Sequence, residues 1–256
     1  DLSYKDWKKI AETAQKLLNE EDIKGIIITH GTDTLHYTAA ALSFFLKPNK
    51  PVALTFSQRS IDRASTDASL NLLCACKYAI SEIAEVAIIG HKNENDAICI
   101  AMPGVKTRKM HTSRRDAFQI FNSEPIAEIS DSEFKILREF NARNSKRAEL
   151  ETNFEEKIAL IKIYPGQNPE ILDYYKKQGY KGIILELFGL GHVPSREAKE
   201  NWLPKIKKLI EEGITICGAP QTLGGRLNLK VYTNGRDLEK TGIIILKDML
   251  PETAHI

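Results

Sequence analysis

With 256 residues and a 42% apolar fraction, the chain is long enough for one large domain or two of ordinary size. Basic and acidic side chains nearly cancel, leaving a net charge of +2, so nothing global in the electrostatics points to nucleic acid and only a local basic patch could. No apolar run approaches the ~20 residues needed to cross a bilayer.

The opening Asp1-Leu2-Ser3-Tyr4 carries neither a start methionine nor the pattern of a signal peptide, and a fragment of a longer chain is expected. Trp7, Ile10, Ala11, Ala14, Leu17 and Leu18 then share one face of a helix. Ile23 to Thr29 reads as a buried strand, and Leu35 to Leu46 as a helix closed by Lys47-Pro48. Pro51 to Thr55 is a second strand and Asp67 to Ile80 a second central helix. Cys74 and Cys76 fall in its apolar run and are expected to be buried free thiols, which suits a reducing cytosol. Val86 to Gly90 and Ala97 to Met102 are strands joined through the polar turn Asn93 to Asp96. Continuous apolar strands between helices predict a mostly parallel sheet covered on both faces.

From Glu124 to Lys157 the chain turns highly charged, which predicts a linker with a short helix near Ser132 to Phe140. Alternation then resumes: strand Ile158 to Ile163, helix Pro169 to Gly179, strand Gly182 to Leu187, helix Glu200 to Glu212, strand Ile214 to Cys217 and a further strand Lys230 to Tyr232. The expected organisation is an N-terminal α/β domain over 1–125, a charged linker over 126–157 and a smaller C-terminal α/β domain over 158–256.

In open parallel sheets ligands bind at the carboxyl ends of strands. Ile26-Ile27-Ile28-Thr29 runs into His30-Gly31-Thr32-Asp33-Thr34 at such an end. Gly31 would allow a sharp turn, and backbone N–H groups at the following helix start suit an oxyanion or a carboxylate. Taken alone, Thr and Asp at a helix start are ordinary caps. The basic stretch Lys106 to Phe118 is equally open: a solvated loop, an anion-binding surface, or the source of a lysine brought against Asp33. A lysine so placed assists removal of a threonine proton once its surroundings lower its hold on its own. No histidine or cysteine cluster supports a metal site, and Gly189-Leu190-Gly191 lacks the third glycine of a dinucleotide fingerprint.

The pair of segments resembles the asparaginase family. His30-Gly31-Thr32-Asp33-Thr34 after an apolar strand, with Lys109, a Thr/Ser-rich stretch, Asp116 and Phe118 following in order, is similar to the second signature of asparaginases and related glutaminases. Within it, the D subunits of archaeal glutamyl-tRNA(Gln) amidotransferases are the nearer branch. That likeness is carried by Ser57 to Arg63, Asp67 to Leu72, Arg108 to Phe118, Tyr164-Pro165-Gly166, Gly189 to His192 and Asp248 to Ala254. The resemblance implies two doubly wound α/β domains of the asparaginase type, the N-terminal one lacking its first strand and helix. It implies a catalytic group of Thr32, Asp33 and Lys109, with Gly31, Thr32 and Asp33 binding substrate and no metal. It also implies hydrolysis of glutamine or asparagine through an acyl-threonine intermediate.

In the family a first threonine upstream is the nucleophile, so the expectation is a chain truncated at both ends and inactive by itself. The implied setting is a cytoplasmic homodimer working with the amidotransferase E subunit on Glu-tRNA(Gln), with ATP and Mg at that partner and no cofactor here. Two alternatives are a free L-asparaginase and an inactive fragment that docks a partner. The Gln58-Arg59-Ser60 segment separates the amidotransferase branch from free asparaginases.

Overall fold

The computed structural model describes residues 2–256; Asp1 lies outside them. Two compact units divide the chain after Asn153. In the first, α1 (Tyr4–Leu18) opens on Ser3, whose backbone N–H and hydroxyl both donate to the Asp6 carboxylate at 2.7 Å. β1 (Ile26–Thr29), α2 (Leu35–Phe45), β2 (Leu46–Lys47), β3 (Val52–Thr55) and α3 (Ala68–Ala79) follow. Then come β4 (Val86–His91), β5 (Cys99–Pro103), β6 (Thr107–Lys109), β7 (Phe118–Ile120), β8 (Ala127–Ile129), β9 (Phe134–Ile136) and β10 (Glu149–Leu150).

The main sheet has the order β1-β3-β4-β5-β8-β9. β1, β3 and β4 run parallel, in the register Ile26 to Val52 to Val86. Every residue of β3 and β4 is buried, as expected for parallel strands with both faces covered. α2 is apolar on almost every side, with Leu35, Ala39, Ala40, Ala41 and Leu42 buried. The parallel character ends at β4. β5, β8 and β9 each return antiparallel to their neighbour: the β4–β5 and β8–β9 connections are too short for a crossover, and the longer β5–β8 connection carries the β6–β7 hairpin instead of a crossover helix.

Several expectations are corrected here. The stretch 126–157 is not a linker up to Leu150, where β8 and β9 are strands of the main sheet and β10 pairs with β2; the connecting run that remains is 151–157, which has no regular structure. The helix expected near Ser132 to Phe140 is instead strand β9. Of Cys74 and Cys76 the first is buried and the second exposed, because positions two apart on a helix point to different faces.

The second unit runs β11 (Ile158–Lys162), α4 (Ile171–Lys177), β12 (Gly182–Leu187), α5 (Leu203–Glu211), β13 (Thr215–Pro220), α6 (Thr233–Glu239), β14 (Ile244–Ile245) and α7 (Pro251–His255). Its four strands are parallel in that order. Its core gathers Leu172, Leu185, Leu187, Ile206, Leu209 and Leu238 around the fully buried Trp202, with Phe188 packed against it. Lys230 to Tyr232 forms a turn into α6 rather than a strand.

Candidate active site

β1 is an edge strand, and its pairing with β3 continues one residue further, His30 N–H donating to the Thr55 carbonyl at 3.0 Å. The chain therefore leaves the sheet at Gly31, at the carboxyl end of the parallel strands. A second relay holds this exit. Trp7 Nε1 donates to Thr38 Oγ1 at 3.0 Å, and Thr38 Oγ1 lies 2.8 Å from His30 Nε2. His30 Nδ1 lies 2.6 Å from the Gly31 carbonyl, which can only accept, so Nδ1 carries the proton and the Thr38 hydroxyl can donate to Nε2. Helix α1, helix α2 and the end of β1 are thereby tied to one backbone carbonyl.

Gly31 does not occupy the left-handed region, so no sharp turn of that kind is needed there. A β-carbon at Gly31 would meet nothing within 4 Å, which leaves room beside Thr32. Thr34 stands at the N-cap of α2 without making a side-chain cap bond, and the Asp33 carboxylate turns to Lys109. The capping use of this segment is therefore not the one adopted.

Lys109 arrives from the far end of the β6–β7 hairpin, whose strands pair Lys109 with Phe118. Its Nζ donates to Thr32 Oγ1 at 2.7 Å and to Asp33 Oδ1 at 2.8 Å. The lysine side chain is 15% exposed, whereas that of Asp33 is 93% exposed. The Lys109 hydrogen bond, then its charge, holds the Asp33 carboxyl below the usual carboxylate range. As an ammonium, Nζ donates to both oxygens. As a neutral amine in the same place, it can keep one N–H on Asp33 and turn its lone pair to the Thr32 hydroxyl.

Behind the lysine, burial first and then the charges of Arg108 and Lys109 push the His36 imidazole down to about 4. His36 is thus a neutral wall, set near Phe118 at a ring separation of 6.3 Å. Phe118 in turn meets Phe56 at 4.6 Å, while Asp116 is engaged by Arg114 at 2.7 and 2.8 Å. A cleft of about 470 Å³ lies along Leu2, Ile10, Ile28 and the segment Thr29 to Thr34.

The structure brings Thr32, Asp33 and Lys109 together and leaves Gly31 exposed at the cleft. Trp7, Thr38 and His36 were not singled out from the sequence. Trp7 reads there only as one member of an apolar helix face, and nothing in a linear pattern reports that its indole N–H reaches across to α2.

Two family models match: asparaginase, N-terminal, over residues 1–142, and glutaminase/asparaginase C-terminal domain over 157–256. The chain is 47% identical over 259 residues to the D subunit of the glutamyl-tRNA(Gln) amidotransferase of Pyrococcus abyssi, covering 100% of this chain and 58% of that protein. It is 44% identical over 264 residues to the protein of the same name from Methanopyrus kandleri, covering 57% of it. The chain thus spans less than two thirds of the length of these relatives. Among solved structures, the thermostable L-asparaginase of Thermococcus kodakarensis matches with a TM-score of 0.87 at 29% identity, over 98% of this chain and 73% of that one. L-asparaginase I of Vibrio cholerae matches with a TM-score of 0.85 at 30% identity, over 99% and 74%. Lys109 bridging Thr32 and Asp33, two α/β units and both family models agree: this chain belongs to the asparaginase family.

Proposed function

We propose that this chain carries the amide-hydrolysing machinery of a tRNA-dependent amidotransferase. The observation that carries the reading is the contact of Lys109 Nζ with both Thr32 Oγ1 and Asp33 Oδ1. Lys109 draws the Thr32 proton, Asp33 aims the lysine, and the exposed remainder of the Asp33 carboxylate receives the α-ammonium of glutamine or asparagine. The open space beside Gly31 accommodates the substrate backbone. A threonine hydroxyl adds to the side-chain amide carbonyl, the C–N bond breaks, ammonia leaves with a proton, and water hydrolyses the acyl-threonine ester. In the family the attacking oxygen is that of a first threonine outside this signature; its proton passes by way of Thr32 to Lys109 and from there to the departing nitrogen.

In the full protein the ammonia passes to a partner, the amidotransferase E subunit, which uses ATP and Mg to amidate Glu-tRNA(Gln) in the cytosol, with the present protein as a homodimer. The amidotransferase branch is favoured over a free L-asparaginase by Gln58 and Arg59, which bond to the carbonyls of Thr112 and Ser113 in the loop beyond Lys109.

The test is ammonia release from glutamine and asparagine by the full-length polypeptide. Lys109→Met should lower kcat by about 10²–10⁴-fold with the circular dichroism unchanged. Near-normal turnover in that folded variant would remove Lys109 from the mechanism. Release that neither partner nor Glu-tRNA(Gln) stimulates would favour the free asparaginase. Absence of release from the unaltered full-length protein, partner and tRNA supplied, would leave the docking fragment.

A further inference from the structure

Lys109 reaches the site on a two-stranded hairpin that is not part of the main sheet, and the loop 110–117 beyond it lies largely on the surface. Such a hairpin would by itself let the amine wander, whereas a displacement of about 1 Å in a reacting group can cost on the order of a hundredfold in rate. The loop is held at two separate points, and both holds lead back to the same buried pair at the start of α3.

The first hold runs through Asp67. Its carboxylate is fully buried and accepts the backbone N–H groups of Gln58 and Arg59, both at 2.9 Å, and the Asn71 amide at 3.0 Å. Gln58 then donates to the Thr112 carbonyl at 3.0 Å, and Arg59 to that of Ser113 at 3.3 Å. The second hold runs through His91, the last residue of β4, which is 1% exposed. The two N–H groups of the Asn71 amide are engaged by Asp67 and by the Phe56 carbonyl, so Asn71 Oδ1 accepts, from His91 Nδ1 at 2.7 Å. His91 Nε2 meets Asp96 Oδ1 at 3.1 Å, and Arg115 of the loop donates to the same oxygen at 2.5 Å and to the Glu94 carbonyl. Hydrogen bonds to Arg115 first and His91 second hold the Asp96 carboxyl below its ordinary range.

Asp67, Gln58, Thr112, Arg115, Asp96, His91 and Asn71 thus close a circuit around the loop. We propose that His91 is a positioning residue: through Asn71 on one side and Asp96 and Arg115 on the other, it fixes the 110–117 loop so that Lys109 Nζ stays on Thr32 and Asp33. This rests on the amidohydrolase reading for its meaning, but the clamp itself is testable without any turnover. None of these residues lines the cleft or bonds to Thr32 or Asp33, so loss of the circuit should act on the placement of one amine, that of Lys109.

The experiment uses the full-length protein with His91→Leu, His91→Gln, Asp96→Asn and Gln58→Ala. The first readout is the labelling rate of Lys109 by an amine-reactive reagent, followed peptide by peptide, with Lys205 as an internal control held by Glu170 and Asp173. The second is kcat and KM for amide hydrolysis. His91→Leu should label at Lys109 at least about fivefold faster and lose about ten- to a hundredfold in kcat, with KM within about threefold of the original. His91→Gln, which keeps a donor for Asn71, should recover part of both. Asp96→Asn and Gln58→Ala should move both readouts the same way by less.

A folded His91→Leu with unchanged labelling and unchanged kcat overturns the proposal. So does a loss that tracks thermal stability alone, with no Lys109 labelling change and no rescue by Gln. If His91→Leu does not fold, the two more exposed sites decide: unchanged labelling and kcat in both overturn it. If the unaltered protein hydrolyses no amide, the functional reading falls, and the labelling alone decides whether the clamp holds the lysine.

Discussion

Thr32, Asp33 and Lys109 were each legible as residues because their types and order match a known signature; what joins them is a set of short distances that no spacing in the chain encodes. His36 shows the opposite case. It sits one residue inside α2, silent in the sequence, and becomes a group with a large shift only when α2, Phe118 and the basic hairpin surround it. Its pH consequence has a definite sign. The folded ring stays neutral from pH 6.5 down to about 4, whereas the unfolded ring takes up a proton below 6.5. Unfolding therefore binds a proton in that window, and stability falls as pH drops from 6.5 to about 4, levelling below it. The gap between the two values corresponds to about 3 kcal/mol. His36→Leu should remove that loss. The stability difference between variant and parent, from denaturant melts at pH 7 and pH 4, should change by about that amount in favour of the variant at the lower pH. A difference independent of pH would show that His36 titrates normally.

At the level of elements, the long apolar strands and amphipathic helices were readable because burial on one or both faces imposes a period. Short elements were not. β8 and β9 are three residues each and lie among charges, with Lys92 paired to Glu128 and Arg138 to Glu85, so the stretch reads as solvent-facing although Ile126, Ala127 and Ile129 are fully buried. Contact between elements also limits residues that sequence treats as spacers. Gly25, just before β1, lies against the end of α3: a β-carbon there would stand 2.0 Å from the Ala79 carbonyl oxygen. That obstacle is backbone, so helix or strand must move. Gly25→Ala should lower stability by roughly 1–3 kcal/mol through overpacking, read as a fall in the thermal midpoint of the first unit. An unchanged midpoint would mean that α3 and β1 separate at little cost.

For the whole molecule, the boundary between units follows from where the sheet stops rather than from where charge begins. Residues 151–157 have no regular structure, and Glu151, Asn153, Glu155, Glu156 and Lys157 are exposed. Brief treatment with a glutamate-specific protease should cut first at Glu155 or Glu156 and yield two fragments. First cuts at Glu133 or Glu139 would restore the linker that the composition suggested, and would contradict the pairing of β8 and β9 in the sheet.

The sequence alone determined the two-part α/β architecture and the family resemblance, and it singled out the three residues that the structure brings together, because hydrophobic periodicity and a motif are properties of neighbours along the chain. Tertiary structure alone decided that Asp33 does not serve as a cap, that the charged stretch is sheet, and that His91, Asn71 and Asp67 lie behind the Lys109 loop. Those outcomes depend on which groups meet after distant segments pack. The hydrogen bonds that decide them join residues far apart in the chain, where linear spacing carries no distance.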